Sequence, residues 1–317
     1  MTRCAVFYSS WFILLALLCI TAAGNKNIAN AFGIVSCRMT DGSIQPLKRV
    51  VVKLLFHDRI LYNKIDETRS STDGSFYIAE SVKNVVGEPD PIVIQIVYEY
   101  QGKYGQMEVN GLAGITRKYT TKRKKYKQNL NFGGIVIADD HCRAYVQFYA
   151  AMEDYYARTG MTVPYKTLDV RTQVLIHGGT PYAIRSRVNI PKGYFVSVAT
   201  AIHELGHTVR HTLDGNLVHF LYDVVRFNYL RHHTCSTKSN LGYAFNEGWA
   251  EFWANSCNNF FYGTSTTDYT IEGNVAIALR SIKKSCGLND GQMINVLRKN
   301  PKKIHSFQDF KKFSGCS

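Results

Sequence analysis

The pentapeptide His203-Glu204-Leu205-Gly206-His207 constrains this chain more than any other stretch. Two histidines four apart on a helix project from one face about one turn apart, so both imidazoles can reach a single ion. Glu204 follows the first histidine directly, where its carboxylate leans over the position such a metal site leaves open for water. The flanks predict the helix. From Tyr194 to Leu213 there is no proline and no glycine except Gly206. Val198, Ile202, Leu205 and Val209 recur at helical spacing, and Asp214-Gly215 supplies a stop. Three fixed residues also match by chance, on the order of once in a hundred chains of this size, so a second motif has to carry the reading.

A site of this kind needs one more protein ligand and then an open position. A third ligand on the same stretch, in the metzincin manner, requires Gly at 210 and His at 213, and the chain has Arg210 and Leu213. A glutamate on a separate helix is the other route. Phe245-Asn246-Glu247-Gly248-Trp249-Ala250-Glu251-Phe252-Trp253 offers two, Glu247 and Glu251, on one face four residues apart. Trp249, Ala250, Phe252 and Trp253 make this an apolar, largely buried helix in which an unpaired carboxylate is costly.

The two motifs together resemble the gluzincin metallopeptidases, the thermolysin-like and aminopeptidase group. The resemblance implies that Glu247, in an Asn-Glu-Gly segment with Asn246 beside it, completes a site for one Zn2+ with His203 and His207. It also implies that Glu251, one turn later, hydrogen-bonds the first ligating histidine. A carboxylate behind a ligating imidazole fixes its orientation and raises its basicity. Glu204 is then expected to act as general base, taking a proton from water and later delivering it to the leaving amine. A developing oxyanion usually has a further donor, and Tyr243, Tyr262, Tyr269, His219, His232 and His233 are all available. Spacing does not choose among them. His211, one turn past His207, is a minor candidate for a fourth ligand or a substrate contact.

Residues 1–23 read as a secretory signal peptide, with Arg3 in the n-region, an apolar core from Trp11 to Ile20, and Thr21-Ala22-Ala23 at the cleavage site. The rival reading is an uncleaved anchor, although the apolar run is short for a membrane span and no later segment approaches the needed length. A secreted, extracellular protein is therefore expected. Six cysteines follow the signal: Cys37, Cys142, Cys235, Cys257, Cys286 and Cys316. An even number in an oxidising compartment predicts up to three bridges. Cys235 with Cys257 and Cys286 with Cys316 each close a local loop, which leaves Cys37 and Cys142 as a tie between the two halves of the chain.

The formal net charge is +14, and Arg117, Lys118, Lys122, Arg123, Lys124, Lys125 and Lys127 cluster with no acid among them. A basic run interleaved with tyrosines suits an acidic polymer. Such a run is more often a solvated loop or an exposed edge strand, where lysines also discourage sheet-to-sheet pairing, and that reading is preferred; nucleic acid is not an expected partner.

The segment before about residue 133 reads as all-β. Val50 to Phe56, Ser75 to Ile78 and Pro91 to Tyr98 are β-branched or aromatic runs between turn signals such as Asp41-Gly42 and Asp73-Gly74. Gly33-Ile-Val-Ser-Cys37, Val50-Val-Val-Lys-Leu-Leu and Thr72-Asp73-Gly74-Ser75-Phe76-Tyr77 resemble the transthyretin-like and carboxypeptidase-regulatory-like sandwiches, whose Thr-Asp signature is shortened here. After the paired glycines of Asn131-Phe-Gly-Gly134 the pattern becomes α+β. Helices are expected over Cys142–Thr159, Ile271–Lys284 and Gln292–Asn300, and strands over Val174–His177 and Ile184–Ile190. The expected plan is multi-domain: a β-sandwich over 24–133, then an α+β zincin-like metallopeptidase domain over 134–317.

The expected activity is hydrolysis of peptide bonds in a peptide or protein substrate. An endopeptidase is favoured because no amine- or carboxylate-capturing motif is legible. The alternative is a secreted binding protein, catalytically inactive or with purely structural zinc, that uses the basic 117–127 stretch.

Overall fold

The computed structural model describes residues 27–58, 61–82, 91–125, 129–175, 179–216, 218, 222 and 233–316. The expected signal peptide lies outside them, as do His219 and His232. The fold mixes α and β, with three sheets and six helices among the described residues.

The first sheet is built on β1 (Asn27–Arg38), which pairs in parallel with β10 (Asn129–Ile137). Its other edge takes β5 (Ser75–Val82) and then β2 (Ile44–Pro46), both antiparallel. The second sheet runs β4 (Leu61–Arg69), β3 (Val51–Asp58), β6 (Ile92–Val97), β9 (Lys118–Thr120). Ile92, Val93, Ile94, Ile96 and Val97 of β6 are all buried, the pattern of a strand covered on both faces. Residues 118–120 of the basic run form β9, an edge strand with exposed Lys118, one of the two placements expected for that run.

The third sheet positions the candidate site. Its order is β12 (Tyr182–Ile184), β13 (Arg187–Pro191), β11 (Leu168–Val174), β8 (Gly105–Asn110), β7 (Glu99–Gly102). Strands β8, β11 and β13 are parallel, and β12 is an antiparallel edge. Two expectations change here. The strand placed at Val174–His177 ends at Val174, and residues 176–178 lie outside the described ones. The single strand placed over Ile184–Ile190 is a hairpin, β12–β13, turned at Arg185 with φ 53. Arginine is an unusual residue for a left-handed turn position, so the sequence carries no Gly or Asn signal there.

The division at residues 133/134 also does not coincide with a sheet boundary. The paired glycines lie inside β10, and β7 and β8, which precede them, share a sheet with β11–β13, which follow. A Cβ on Gly33 would come 2.8 Å from Gly133 O, so glycine lets the two backbones approach where β1 and β10 pair.

Helix α1 (Asp140–Thr159) starts at Asp139, whose side chain accepts from Cys142 N, and stops at Gly160 in the left-handed region. Its Tyr145, Phe148, Tyr149 and Met152 are buried, and the Cys37–Cys142 disulfide ties it to β1. Helix α2 (Val198–Asp214) is capped by Ser197 and terminated by Gly215 at φ 67. Helix α3 (Leu241–Trp253) is capped by Asn240. Then come α4 (Glu272–Ser285), α5 (Asp290–Lys299) with an Asn289/Gln292 capping box, and a final α6 (Phe307–Ser314) that the sequence reading does not anticipate. Disulfides Cys235–Cys257 and Cys286–Cys316 pair as the local-loop argument expects. No helix of the described residues is long and apolar enough to cross a membrane.

Candidate metal centre

Helices α2 and α3 cross where neither carries bulk. A Cβ on Gly206 would lie 3.2 Å from the Ala250 Cα, so the two backbones meet at this pair. The crossing turns the His203/His207 face of α2 toward Glu247 of α3. His207 Nε2 lies 3.1 Å from Glu247 Oε2, His203 Nε2 lies 3.5 Å from the same oxygen, and the two nitrogens are 3.1 Å apart. Donors about 2.0–2.2 Å from a tetrahedral ion are separated by about 3.3–3.6 Å, close to the sides of this triangle. Glu247 is buried, and its Oε2 accepts no well-aligned hydrogen bond although both nitrogens touch it. The residues present therefore fit a divalent ion of the zinc class.

The surroundings hold this triangle in place. Asn246 Nδ2 donates to Glu247 Oε1 at 3.4 Å, while Asn246 Oδ1 accepts from Arg210 Nη1 at 3.0 Å and from His211 Nε2 at 3.1 Å. His211 spends Nε2 on Asn246, and neither of its ring nitrogens gathers with the ligand atoms of His203, His207 and Glu247. Glu251 reaches the far side of the first histidine, with Oε1 3.6 Å from His203 Nδ1. That is a charge contact rather than a tight hydrogen bond, and its other oxygen accepts from the Ser256 hydroxyl. Glu251 also lies near Cys235 and Cys257, but those two thiols are spent on each other.

Glu204 is buried on α2, and among the described residues one of its carboxylate oxygens has no hydrogen-bond partner. Burial raises its pKa, partly offset by the neighbouring histidines. Glu247 is held well below the usual carboxylate range: burial alone would raise it, but His207, His233 and His203 outweigh that effect. His203 moves the other way. Burial disfavours its charge, yet Glu247, Glu204 and Glu251 raise it to about 9. Carboxylates that favour positive charge at His203 favour a dication beside it as well.

Four of the six candidate donors lie among the described residues, and of these the structure brings His233 to the centre. Its Nε2 lies 3.8 Å from Glu247 Oε2, and its Nδ1 is 3.0 Å from Glu272 Oε2. Burial would lower the His233 pKa, but Glu247 and Glu272 together raise it to about 10. His233 groups with Glu247 and Glu272 rather than with the two α2 histidines, so it does not close a four-ligand cage. Tyr243 packs edge-on against the His233 ring, with centroids 5.9 Å apart.

Glu272 is the residue sequence reasoning missed. It is buried at the first turn of α4, where an acid reads as an ordinary partner of the helix dipole. Burial lifts its pKa to about 7 against the pull of His233. What brings it in is Gly248: a Cβ there would come 2.5 Å from Val275 Cβ and 2.7 Å from Glu272 O, so α3 and α4 meet beside Glu247.

No protein-family model matches the chain, and no curated protein matches it. Similar solved structures include a 9R-lipoxygenase from Cyanothece PCC8801, 8% identical over 49% of this chain and 26% of that one, with a TM-score of 0.26. Another is a putative carbohydrate-binding protein from Pseudomonas aeruginosa, 14% identical over 37% of this chain and 93% of that one, with a TM-score of 0.21. The chain thus spans about a quarter of the lipoxygenase, and likenesses this slight carry no argument about chemistry.

Proposed function

We propose that this chain is a secreted zinc-dependent peptidase of the gluzincin type, an endopeptidase, with an N-terminal sandwich-like β region preceding the metallopeptidase part. The observation that carries the reading is the triangle of His203, His207 and Glu247, three donors at tetrahedral spacing with Glu204 buried on the same helix. Three protein ligands with a further carboxylate close by suit catalysis, whereas structural zinc is usually closed by a fourth protein donor. Among the described residues neither His211 nor His233 is placed to be that donor.

When bound, zinc supplies a Lewis acid that polarises a scissile carbonyl and lowers the pKa of water. The chain's own residues do the rest. Glu204, its pKa raised by burial, takes the proton of the attacking water and returns it to the leaving amine. His233, held at Nδ1 by Glu272, presents Nε2 to the oxygen that gains charge. The edge strand β12 packs against α2 and offers an extended substrate a main-chain partner, a mode tolerant of sequence. Three disulfides are compatible with an extracellular site of action.

The test is metal analysis alongside cleavage of a mixed peptide library. The wild-type protein should bind one zinc and cleave only when loaded. Glu204→Gln should retain the zinc and lose turnover; near-full proteolysis by that variant would refute the mechanism.

A further inference from the structure

Three attachments converge on the short segment that carries His233. The imidazole is bonded to Glu272 at 3.0 Å. Two residues on, the Cys235 carbonyl accepts the Gly273 N–H at 3.0 Å, so the segment is stitched to two successive residues at the start of α4. Glycine is required at that seam, because a Cβ on Gly273 would come 2.5 Å from Cys235 O and 2.4 Å from the Tyr262 ring. The third attachment is covalent. Cys235 is joined to Cys257 across 22 residues, and the loop so closed contains the whole of α3, with Glu247 and Glu251 on it. Cys257 is itself anchored, since its carbonyl accepts from Arg280 Nη1 of α4 at 3.0 Å.

We propose that the Cys235–Cys257 disulfide and the Gly273 seam form a positioning device that holds His233 over Glu247, a proposal that rests on the peptidase reading above. The disulfide touches none of the three metal-ligating side chains by a bond of its own. It fixes the backbone two residues from the imidazole, and a lever that short moves the ring almost as far as it moves itself. Glu272 sets the rotation of the ring, and the disulfide and seam set its position. A misplacement of about 1 Å at a catalytic group can cost on the order of a hundred-fold in rate. Loosening this segment should therefore lower turnover without releasing metal.

The experiment is a cycle of full-length variants assayed for zinc content, kcat and KM on one unstructured peptide. Cys235→Ser with Cys257→Ser should keep one zinc per chain and a near-normal KM, and lose about 10–100-fold in kcat. His233→Ala alone should lose about a hundred- to a thousand-fold. In the His233→Ala background, removing the disulfide should cost nothing further, because what it positions is already gone. Cys286→Ser with Cys316→Ser, a bridge remote from the site, should leave kcat unchanged. Gly273→Ala, which strains the same seam with the disulfide intact, should repeat the loss and the non-additivity, and it decides the matter if the double serine variant does not fold.

Full activity without the disulfide overturns the proposal. So does an equal loss with and without His233, which marks a general structural role, or loss of zinc, which marks an effect on the ligands. A wild-type protein without zinc-dependent cleavage overturns the peptidase reading instead, and this proposal with it.

Discussion

The choice between Glu247 and Glu251 as metal ligand is the sharpest test of the site, because the two lie on one helix face and only one contributes to the donor triangle. Glu247 Oε2 is within 3.5 Å of both imidazole nitrogens of the triangle, whereas Glu251 meets only the back of His203, at 3.6 Å. Removing a carboxylate behind a ligating imidazole typically costs 10- to 100-fold in affinity, roughly 1.4–2.7 kcal/mol. Removing one of three ligands costs far more. If zinc sites of this strength are worth about 10–16 kcal/mol, a third of that is on the order of 3–5 kcal/mol.

These costs can be read as thermal stability. At free zinc about 100 times the wild-type Kd, binding stabilises the native state by about 2.7 kcal/mol. At that same concentration a 10-fold weaker site keeps about 1.4 kcal/mol and a 100-fold weaker one about 0.4 kcal/mol. Each kcal/mol corresponds to about 2–4 °C in Tm. The assay is the zinc-dependent shift in Tm of Glu247→Gln and Glu251→Gln, with metal content measured after dialysis. Glu251→Gln should keep a reduced shift, and Glu247→Gln essentially none. A larger loss in Glu251→Gln than in Glu247→Gln would exchange the two roles and refute the geometry argued from the triangle.

Three further outcomes follow from the packing. Gly206→Ala should be close to neutral, since its Cβ meets Ala250 at 3.2 Å and alanine regains up to about 1 kcal/mol of helix propensity; Gly248→Ala, facing Val275 at 2.5 Å, should be destabilising by about 1–3 kcal/mol and weaken zinc binding, measured by urea unfolding and metal titration. Asp290 is bonded to Arg158 at 2.9 Å and Lys283 at 2.6 Å, and these contacts outweigh burial to hold its pKa below the usual value. Its stabilisation is then present above the ordinary carboxylate range and lost as pH falls through the depressed value, so Asp290→Asn should cost about 1.5–3 kcal/mol at pH 7 and progressively less in acid. A fragment starting at Gly134, even with Cys142→Ser, should fail to fold, because it loses β7 and β8 from the five-stranded sheet and uncovers the buried Leu168 and Val170 of β11; a soluble, cooperatively melting fragment would contradict this.

What the sequence made legible is what has a local cause. Helix α2 announces itself through apolar spacing and the Asp214-Gly215 stop, and the structure adds only the Ser197 cap that trims its start. The local disulfides follow from short loops between cysteines, and β6 from a β-branched run broken only by Gln95. What was hidden depends on contacts distant in sequence. The pairing of β8 with β11 joins residues about sixty apart in parallel, and no turn signal marks such a partnership. The β12–β13 turn passes through Arg185 with no glycine to betray it. His233 was one of six polar residues until Glu272 and Cys235 gave it a place.

The buried charges explain why such a constellation persists in a fold that would be easier to stabilise without it. Glu204, Glu247 and Glu272 are all buried, with Glu251 half-buried beside them, around three histidines. Each ionised group taken from water costs several kcal/mol, and apolar residues of similar volume often pack as well or better. Packing alone therefore does not account for four carboxylates at the meeting of α2, α3 and α4. Three of them meet an imidazole, Glu247 at His203 and His207, Glu251 at His203 and Glu272 at His233, and the peptidase proposal gives Glu204 a proton to take from water. The two glycines at the helix crossings are the counterpart of this arrangement. Gly206 and Gly248 give up helix propensity so that three backbones can approach closely enough for those groups to meet.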